Sequence, residues 1–98
     1  MTDPSGTGPG WAPRLQALEY PQEYVFKVMG LAGDDFAEHV RSLLSRVVPG
    51  VTSEQVVVRA SRGGKYHSAS VTARLDSEAQ RRAVYEALRA DGRVVYYL

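Results

Sequence analysis

The feature that most constrains this chain is a glycine pair that separates two stretches of strand-forming residues. Gly63 and Gly64 follow residues 55–60 and precede residues 66–75. Both stretches contain several β-branched residues, and glycine tolerates the positive φ angles that tight hairpin turns require. The segment therefore predicts two neighbouring antiparallel strands joined by a short turn.

The second of these stretches alternates apolar side chains with polar ones. Because successive side chains of a strand point to opposite faces, one face of this strand is predicted to be buried and the other open. The apolar positions are Ala69, Val71, Ala73 and Leu75, and the polar positions are Ser68, Ser70, Thr72 and Arg74.

An amphipathic helix is predicted before the hairpin, because apolar residues recur there at helical spacing. Asp34 or Asp35 can cap this helix, and Glu38 follows Asp35 at the three-residue spacing of a capping box. Pro49-Gly50 ends it. Its predicted apolar stripe consists of Phe36, Val40, Leu43, Leu44 and Val47.

A second helix is predicted from Ser77 through Ala90. Ser77 and Gln80 have the spacing of another capping box, and Gly92 supplies the stop after the helix. The predicted apolar stripe consists of Ala79, Ala83, Val84, Ala87 and Leu88.

The first and last strands along the chain complete the predicted order of strand, helix, strand, strand, helix, strand. They are residues 24–29, which end at Gly30, and residues 93–98. Right-handed crossovers make the two strands of each half parallel and place both helices on one face of the sheet. The predicted α+β fold is therefore the ferredoxin-like split βαβ sandwich, with a four-stranded antiparallel sheet, two helices on one face, and strands one and three in the centre.

The N-terminal part of the chain differs in composition from the rest. Residues 1–13 are rich in Gly, Pro, Ser and Thr, and only Trp11 among them is able to bury much surface. Such a segment buries too little surface to offset its ordering entropy. We predict a disordered leader over residues 1–20, including a single helical turn after Arg14, and one domain over residues 21–98.

Composition excludes several classes of protein. The formal net charge of +1 gives no general attraction to nucleic acid or anionic lipid. The chain has no cysteine, which excludes disulfides, thiolate catalysis and sulfur-bound zinc. It has neither an apolar run of membrane-spanning length nor the pattern of a signal peptide, so a cytoplasmic location is expected.

Several short motifs of this chain recur together in one family of proteins. The motifs are Tyr20-Pro21, Phe26-Lys27-Val28-Met29-Gly30, Pro49-Gly50, Ser61 and Gly64-Lys65-Tyr66-His67-Ser68. Over about residues 18–98 the chain resembles the YbeD-like family of small bacterial proteins. The resemblance implies a ferredoxin-like fold similar to ACT-type regulatory domains, which bind small ligands or pair through sheet edges. It also implies a regulatory role with a link to lipoate metabolism, and it supplies no catalytic residue or cofactor.

Binding residues are predicted on the sheet face that the helices leave uncovered. Lys27 lies in the middle of a central strand between Val25 and Met29, where it loses hydration unless an anion or a partner lies nearby. Lys27 can also extend its charged end across the face into water. Together with Ser68 and Ser70, it forms a predicted shallow polar site for a carboxylate or for the backbone of a partner.

The hairpin turn is a second candidate binding region. Glycine amides beside basic side chains can hold a phosphate or a carboxylate, and Gly64 lies between Arg62 and Lys65. Tyr66 and His67 follow at the exit of the turn. The alternative is an ordinary solvated hairpin tip.

Neither histidine has the surroundings of a catalytic or metal-binding residue. His67 and Ser68 are adjacent on a strand, so their side chains point to opposite faces and cannot form a nucleophilic dyad. His39 lies on a predicted helix surface without ligand spacing. We therefore expect a non-enzymatic protein without catalytic residues, metal or cofactor.

The sequence favours a regulatory or adaptor domain that acts through contact with a protein. An ACT-like sensor of a small carboxylate is the alternative. Val25, Met29, Tyr96 and Tyr97 leave apolar surface that a homodimer could cover. RNA recognition is disfavoured, because the chain is nearly neutral and the third strand offers small polar residues where RNA-recognition modules place aromatic ones.

Overall fold

Four strands and two α-helices make up most of residues 19–98, the part of the chain that the computed structural model describes. A single 3-10 turn, Ser53–Gln55, precedes the second strand. Trp11, the helical turn predicted after Arg14 and all but the last two residues of the predicted leader lie outside the described residues. The elements are β1 (Gln22–Leu31), α1 (Phe36–Ser45), β2 (Val56–Ala60), β3 (Tyr66–Leu75), α2 (Glu78–Ala90) and β4 (Val94–Tyr97).

The strands lie in the order β2-β3-β1-β4, and every neighbouring pair is antiparallel. β1 and β3 pair over ten positions, from Gln22 opposite Leu75 to Leu31 opposite Tyr66. Gly63 and Gly64 have φ angles of 88° and 75° in the turn that joins β2 to β3. The predicted ferredoxin-like fold, with strands one and three in the centre, is confirmed.

The core lies between the helices and one face of the sheet. Alternation along β1 and β3 produces it, because every second side chain points toward the helices. Val58 of the edge strand β2 is half-buried and packs against this core. The sheet contributes Phe26, Val28, Val56, Ala69, Val71, Ala73 and Leu75, and the helices contribute Phe36, Val40, Leu43, Leu44, Val84 and Leu88.

The capping box predicted for α1 does not form. Asp35 is the residue before the helix, but its side chain makes no capping hydrogen bond. The guanidinium of Arg93 instead donates to both carboxylate oxygens of Asp35, at 3.0 and 3.1 Å. The guanidinium of Arg41 likewise donates to both carboxylate oxygens of Glu38. Two charge-assisted bonds to a guanidinium replace the single bonds that a cap would have made.

The capping arrangement of α2 is half as predicted. The hydroxyl of Ser77 accepts a hydrogen bond from the backbone N–H of Gln80 at 3.1 Å. The side-chain oxygen of Gln80 accepts from the N–H of Asp76 at 2.7 Å, rather than from that of Ser77. The side-chain amide of Gln80 also donates to the carbonyl of Val47 at 3.1 Å, which ties α2 to the chain after α1.

An aromatic cluster fills the space between β1, β4 and α2. The ring of Phe26 lies 4.9 Å from that of Tyr24 and 5.3 Å from that of Tyr85, measured between centroids. Tyr97 packs against Tyr85 at 5.7 Å. Tyr97 therefore lies on the helix side of the sheet, and its predicted place on the open surface is wrong, because Tyr97 is opposite the buried Val28 in the β1–β4 pairing.

Substituting Phe26 tests where the core lies. Phe26 is fully buried and its neighbour Val25 is half-exposed. We expect Phe26→Ala to lower the free energy of unfolding by about 3–5 kcal/mol, and Val25→Ala to change it by no more than about 0.5 kcal/mol. Urea denaturation measures both. Comparable losses in the two variants would contradict the assignment of faces.

Gly30 is the position where the backbone of β1 has least room. A Cβ atom there would lie 2.7 Å from the carbonyl oxygen of Arg93 and 2.7 Å from the Phe36 ring, whereas one on Gly92 would meet nothing within 4 Å. We expect Gly30→Ala to destabilise the fold by about 1–3 kcal/mol and Gly92→Ala to be within about 0.5 kcal/mol of wild type. A thermal melt of the two variants distinguishes them; a Gly30→Ala protein as stable as wild type would refute the close approach.

Candidate functional site

The sheet surface that no helix covers is here called the open face. The pairing register of the strands determines which side chains lie next to one another on it. Val57, Ser70 and Lys27 lie directly opposite one another across β2, β3 and β1, and Leu98 exchanges two backbone hydrogen bonds with Lys27. A second row runs parallel to this one. It consists of Arg59, Ser68, Met29 and Tyr96.

Exposed apolar side chains are concentrated on the open face. In residues 19–98, six large apolar side chains are exposed, and only Val95 of the six lies outside this face, at the bulge in β4. Scattered single apolar residues are normal on a protein surface, whereas a contiguous group marks an interaction surface. The five on the open face, with their exposed fractions, are Val25 (50%), Leu31 (46%), Val57 (57%), Tyr96 (57%) and Leu98 (58%).

Lys27 lies in the middle of this apolar surface. A shallow pocket with a volume of about 140 Å³ is lined by Lys27, Val28, Met29, Ser68, Tyr96 and Leu98. Its walls therefore offer one ammonium group and two hydroxyl groups in apolar surroundings. The structure thus brings together Lys27 and Ser68, and Ser70 lies opposite Lys27 on β3.

The charges of the two sides of the molecule differ. The arginines of α1 and α2, together with Arg93, hold carboxylates in ion pairs, as in Arg41–Glu38 and Arg81–Glu78. No such pair within residues 19–98 involves Lys27, Arg59 or Arg74, the three cations of the open face. Among the side chains of strands β1 to β4, the carboxylate on this face is Glu23, opposite Arg74 at one end. The open face is therefore apolar and positively charged.

The hairpin residues form a separate region. Arg62, Gly64 and Lys65 are exposed at the tip, and the Lys65 ammonium lies 5.5 Å from the centroid of the Tyr66 ring. Tyr66 is opposite Leu31, four residues beyond Lys27 on β1, and four residues of a strand span roughly 13 Å. Thus Arg62, Gly64 and Lys65 do not share a pocket with Lys27.

His67 points to the helix side of the sheet. Its ring packs edge-on against Phe36, with centroids 6.1 Å apart, and its Nδ1 accepts a long hydrogen bond of 3.5 Å from the N–H of Gly33. Its neighbour Ser68 lies on the open face. The two side chains are therefore separated by the sheet, as expected for adjacent residues of a strand.

Metal-binding and membrane-spanning features were also sought in residues 19–98. No group of three or more His, Asp or Glu side chains within this range is placed to hold a metal ion. Neither α1 nor α2 combines the length and apolar character that crossing a bilayer requires.

Comparisons with known proteins identify a matching family and several similar bacterial proteins. The family described as "Protein of unknown function (DUF493)" matches residues 16–98. A UPF0250 protein from Ralstonia nicotianae is 39% identical over 90 residues, which are 92% of each chain. UPF0250 proteins from Ectopseudomonas mendocina and Bordetella pertussis are 37% and 33% identical, and the matches cover 79% and 78% of this chain and 85% and 84% of theirs.

A solved structure supports the fold. The solution structure of protein HP0495 from H. pylori superposes with a TM-score of 0.64, covering 95% of this chain and 97% of that chain. The sequence identity is 18%, so the likeness concerns the fold alone.

A polar network at the start of β1 is a feature that the sequence reasoning missed. The hydroxyl of Tyr20 donates to Glu78 at 2.6 Å, and the guanidinium of Arg81 donates twice to the same carboxylate. Arg81 also lies over the rings of Tyr24 and Tyr85, whose hydroxyls are 3.0 Å apart. The Glu78–Arg81 spacing of three residues on a helix is a signal for the ion pair, but nothing in the sequence indicates the tyrosines.

The network shifts the pKa values of its members. The bonds from Arg81 and then from Tyr20 lower the pKa of Glu78 from 4.5 to about 2. Burial, followed by the hydrogen bond with Tyr24, raises the pKa of Tyr85 to about 12. Glu78 is therefore ionised at neutral pH and Tyr85 is neutral. These charge states are consistent with a structural role, in which the network holds β1 against α2.

Removing the Glu78 charge should make stability less dependent on pH. The folded pKa of Glu78 is depressed, so its stabilisation is complete above pH 4.5 and is lost as the pH falls toward 2. We expect Glu78→Gln to melt below wild type at neutral pH, and the difference to shrink toward zero between pH 4.5 and 2. Thermal melts across this range measure it.

The matched control is Glu86→Gln, because Glu86 forms an exposed ion pair with Arg89 on the same helix. Exposed pairs of this type contribute little to stability. A pH profile of Glu78→Gln that runs parallel to wild type throughout would show that the network does not hold the carboxylate in its charged form.

Proposed function

The chain belongs to the DUF493 family, whose bacterial relatives include the UPF0250 proteins, and we propose that it is a non-enzymatic adaptor domain that regulates a partner protein by binding it on the open face. The observation that carries the proposal is the concentration of exposed apolar side chains around Lys27. In residues 19–98, Val25, Leu31, Val57, Tyr96 and Leu98 all lie on that face.

Apolar area supplies the driving force for such binding. Each of these side chains leaves about half of its surface in water, and covering apolar surface contributes roughly 25 cal/mol per Å². Interface cores are enriched in Tyr and Met, which Tyr96 and Met29 supply here. The hydroxyls of Ser68, Ser70 and Thr72 offer hydrogen bonds between these apolar contacts.

The charge of the face favours an acidic partner over a second copy of the chain. In a two-fold dimer through the open face, the same residues meet across the axis. Lys27 lies on a central strand in the middle of the face, so such a dimer would bring two ammonium groups together, at a cost of several kcal/mol. A partner segment with a carboxylate among apolar side chains complements Lys27, Arg59 and Arg74 instead.

The pocket beside Lys27 is the proposed binding site of that carboxylate. Its volume of about 140 Å³ is well below the roughly 300–1,000 Å³ of pockets that hold whole small molecules. It suits one Asp or Glu side chain, held by the Lys27 ammonium and the hydroxyls of Ser68 and Tyr96. Charge-assisted bonds of this type are stronger than neutral ones.

A second candidate is an ACT-like sensor that binds a free carboxylate at the same pocket. The lone ammonium group in apolar surroundings favours it. The pocket volume limits such a ligand to a few heavy atoms, whereas the apolar residues extend well beyond the pocket. The extent of the apolar surface therefore makes a protein partner in the cytoplasm the leading proposal.

Lys27 should be required for binding and not for folding. We expect Lys27→Ala to weaken partner binding at least about tenfold and to leave the free energy of unfolding within about 0.5 kcal/mol of wild type. A protein from the source organism is taken as a partner if it binds to the wild-type protein and does not bind to Lys27→Glu. Calorimetry with the purified partner then gives the dissociation constants.

The control is Arg46→Glu, which reverses an exposed cation just after α1, away from the open face. Exchange of the partner's carboxylate for lysine should restore binding to Lys27→Glu. Equal losses in Lys27→Glu and Arg46→Glu would refute the proposed surface. A stable dimer in light scattering that Lys27→Glu dissociates would instead identify a second copy as the occupant.

A further inference from the structure

A second cavity lies at the opposite end of the sheet from the hairpin turn. Its volume is about 230 Å³, larger than that of the pocket beside Lys27. One wall is the connection between α1 and β2, with Val48, Pro49 and Val51. The other is the end of β3 and the start of α2, with Arg74, Asp76 and Gln80.

Hydrogen bonds hold both walls of this cavity in place. Gln80 accepts from the N–H of Asp76 at 2.7 Å and donates to the carbonyl of Val47 at 3.1 Å, so it links the two walls. On the first wall, the side-chain oxygen of Gln55 accepts from the N–H of Thr52 at 2.8 Å. The cavity is therefore shaped before any ligand enters, which reduces the entropic cost of binding.

The second wall carries one charge of each sign. Arg74 and Asp76 are two residues apart in the chain, and both line the cavity. No ion pair within residues 19–98 involves either residue, and this includes a pair between the two. Glu23 is opposite Arg74 on β1, and it too makes no such pair in the described range.

From this geometry we infer that the cavity binds a small zwitterion, a free α-amino acid. Its carboxylate binds the guanidinium of Arg74, its ammonium group binds the carboxylate of Asp76, and its side chain packs against Val48, Pro49 and Val51. A volume of about 230 Å³ is below the range of roughly 300–1,000 Å³ for drug-sized ligands, which fits a short apolar side chain. The site shares Arg74 with the open face, but Lys27 does not line it.

Nuclear magnetic resonance titration with individual amino acids tests this site. For an amino acid with a short apolar side chain, we expect saturable shifts of backbone amides in residues 50–55 and 74–80, with a dissociation constant of roughly 0.1–1 mM. The deaminated acid and the methyl ester of the same amino acid should each bind at least about tenfold more weakly, because each lacks one charge.

Substitutions separate this site from the pocket beside Lys27. Arg74→Gln and Asp76→Asn should each weaken amino-acid binding about tenfold or more, whereas Arg59→Gln, an arginine on β2 outside the cavity, and Lys27→Ala should leave it unchanged. The inference is overturned if no amino acid gives saturable shifts, or if the deaminated acid binds as tightly as the amino acid. It is also overturned if the shifts cluster around Lys27, which would place the ligand in the pocket of the open face.

Discussion

The pairing of β1 with β3 is the constraint on which the rest of the molecule depends. The two strands lie opposite each other over ten positions, and both alternate buried and exposed residues. One surface of the pair therefore supplies Phe26, Val28, Ala69 and Val71 to the core, and a shift of one residue would turn these toward water. Both crossover connections place their helices against that buried surface, so the other surface stays uncovered.

That asymmetry separates the two roles of the charged residues. On the helix side, Arg93 holds the carboxylate of Asp35 from a distant segment. Arg81 holds that of Glu78 within α2, and Tyr20 donates to the same carboxylate from outside the helix. On the open face, Lys27 lies among exposed apolar residues and forms no ion pair within residues 19–98. Lys27 is itself exposed, so its charge is available for charge-assisted hydrogen bonds with an acidic partner.

Local patterns account for what could be predicted from the sequence. The alternation of apolar and polar residues predicted both ends of β3 correctly. The glycine pair predicted the position of the hairpin, and Ser77 predicted the start of α2. The errors arise from contacts between distant residues. Asp35 is held by Arg93, 58 positions away, and Tyr97 turned inward because its strand is opposite Val28. Likewise, the size of the apolar surface depends on register across four strands, and the cavity near Arg74 depends on two loops that meet only in the folded chain.

The central claim is that this protein acts through the open face of its sheet. The most direct measurement is a comparison of amide and methyl shifts of the full chain with and without its purified partner. The account predicts that the perturbed signals belong to the open face, including the methyl groups of Val25, Met29 and Val57 and the amide of Tyr96, while those of α1 and α2 keep their positions. Perturbations confined to the two helices, with the Val25 and Val57 methyl groups unchanged, would contradict it.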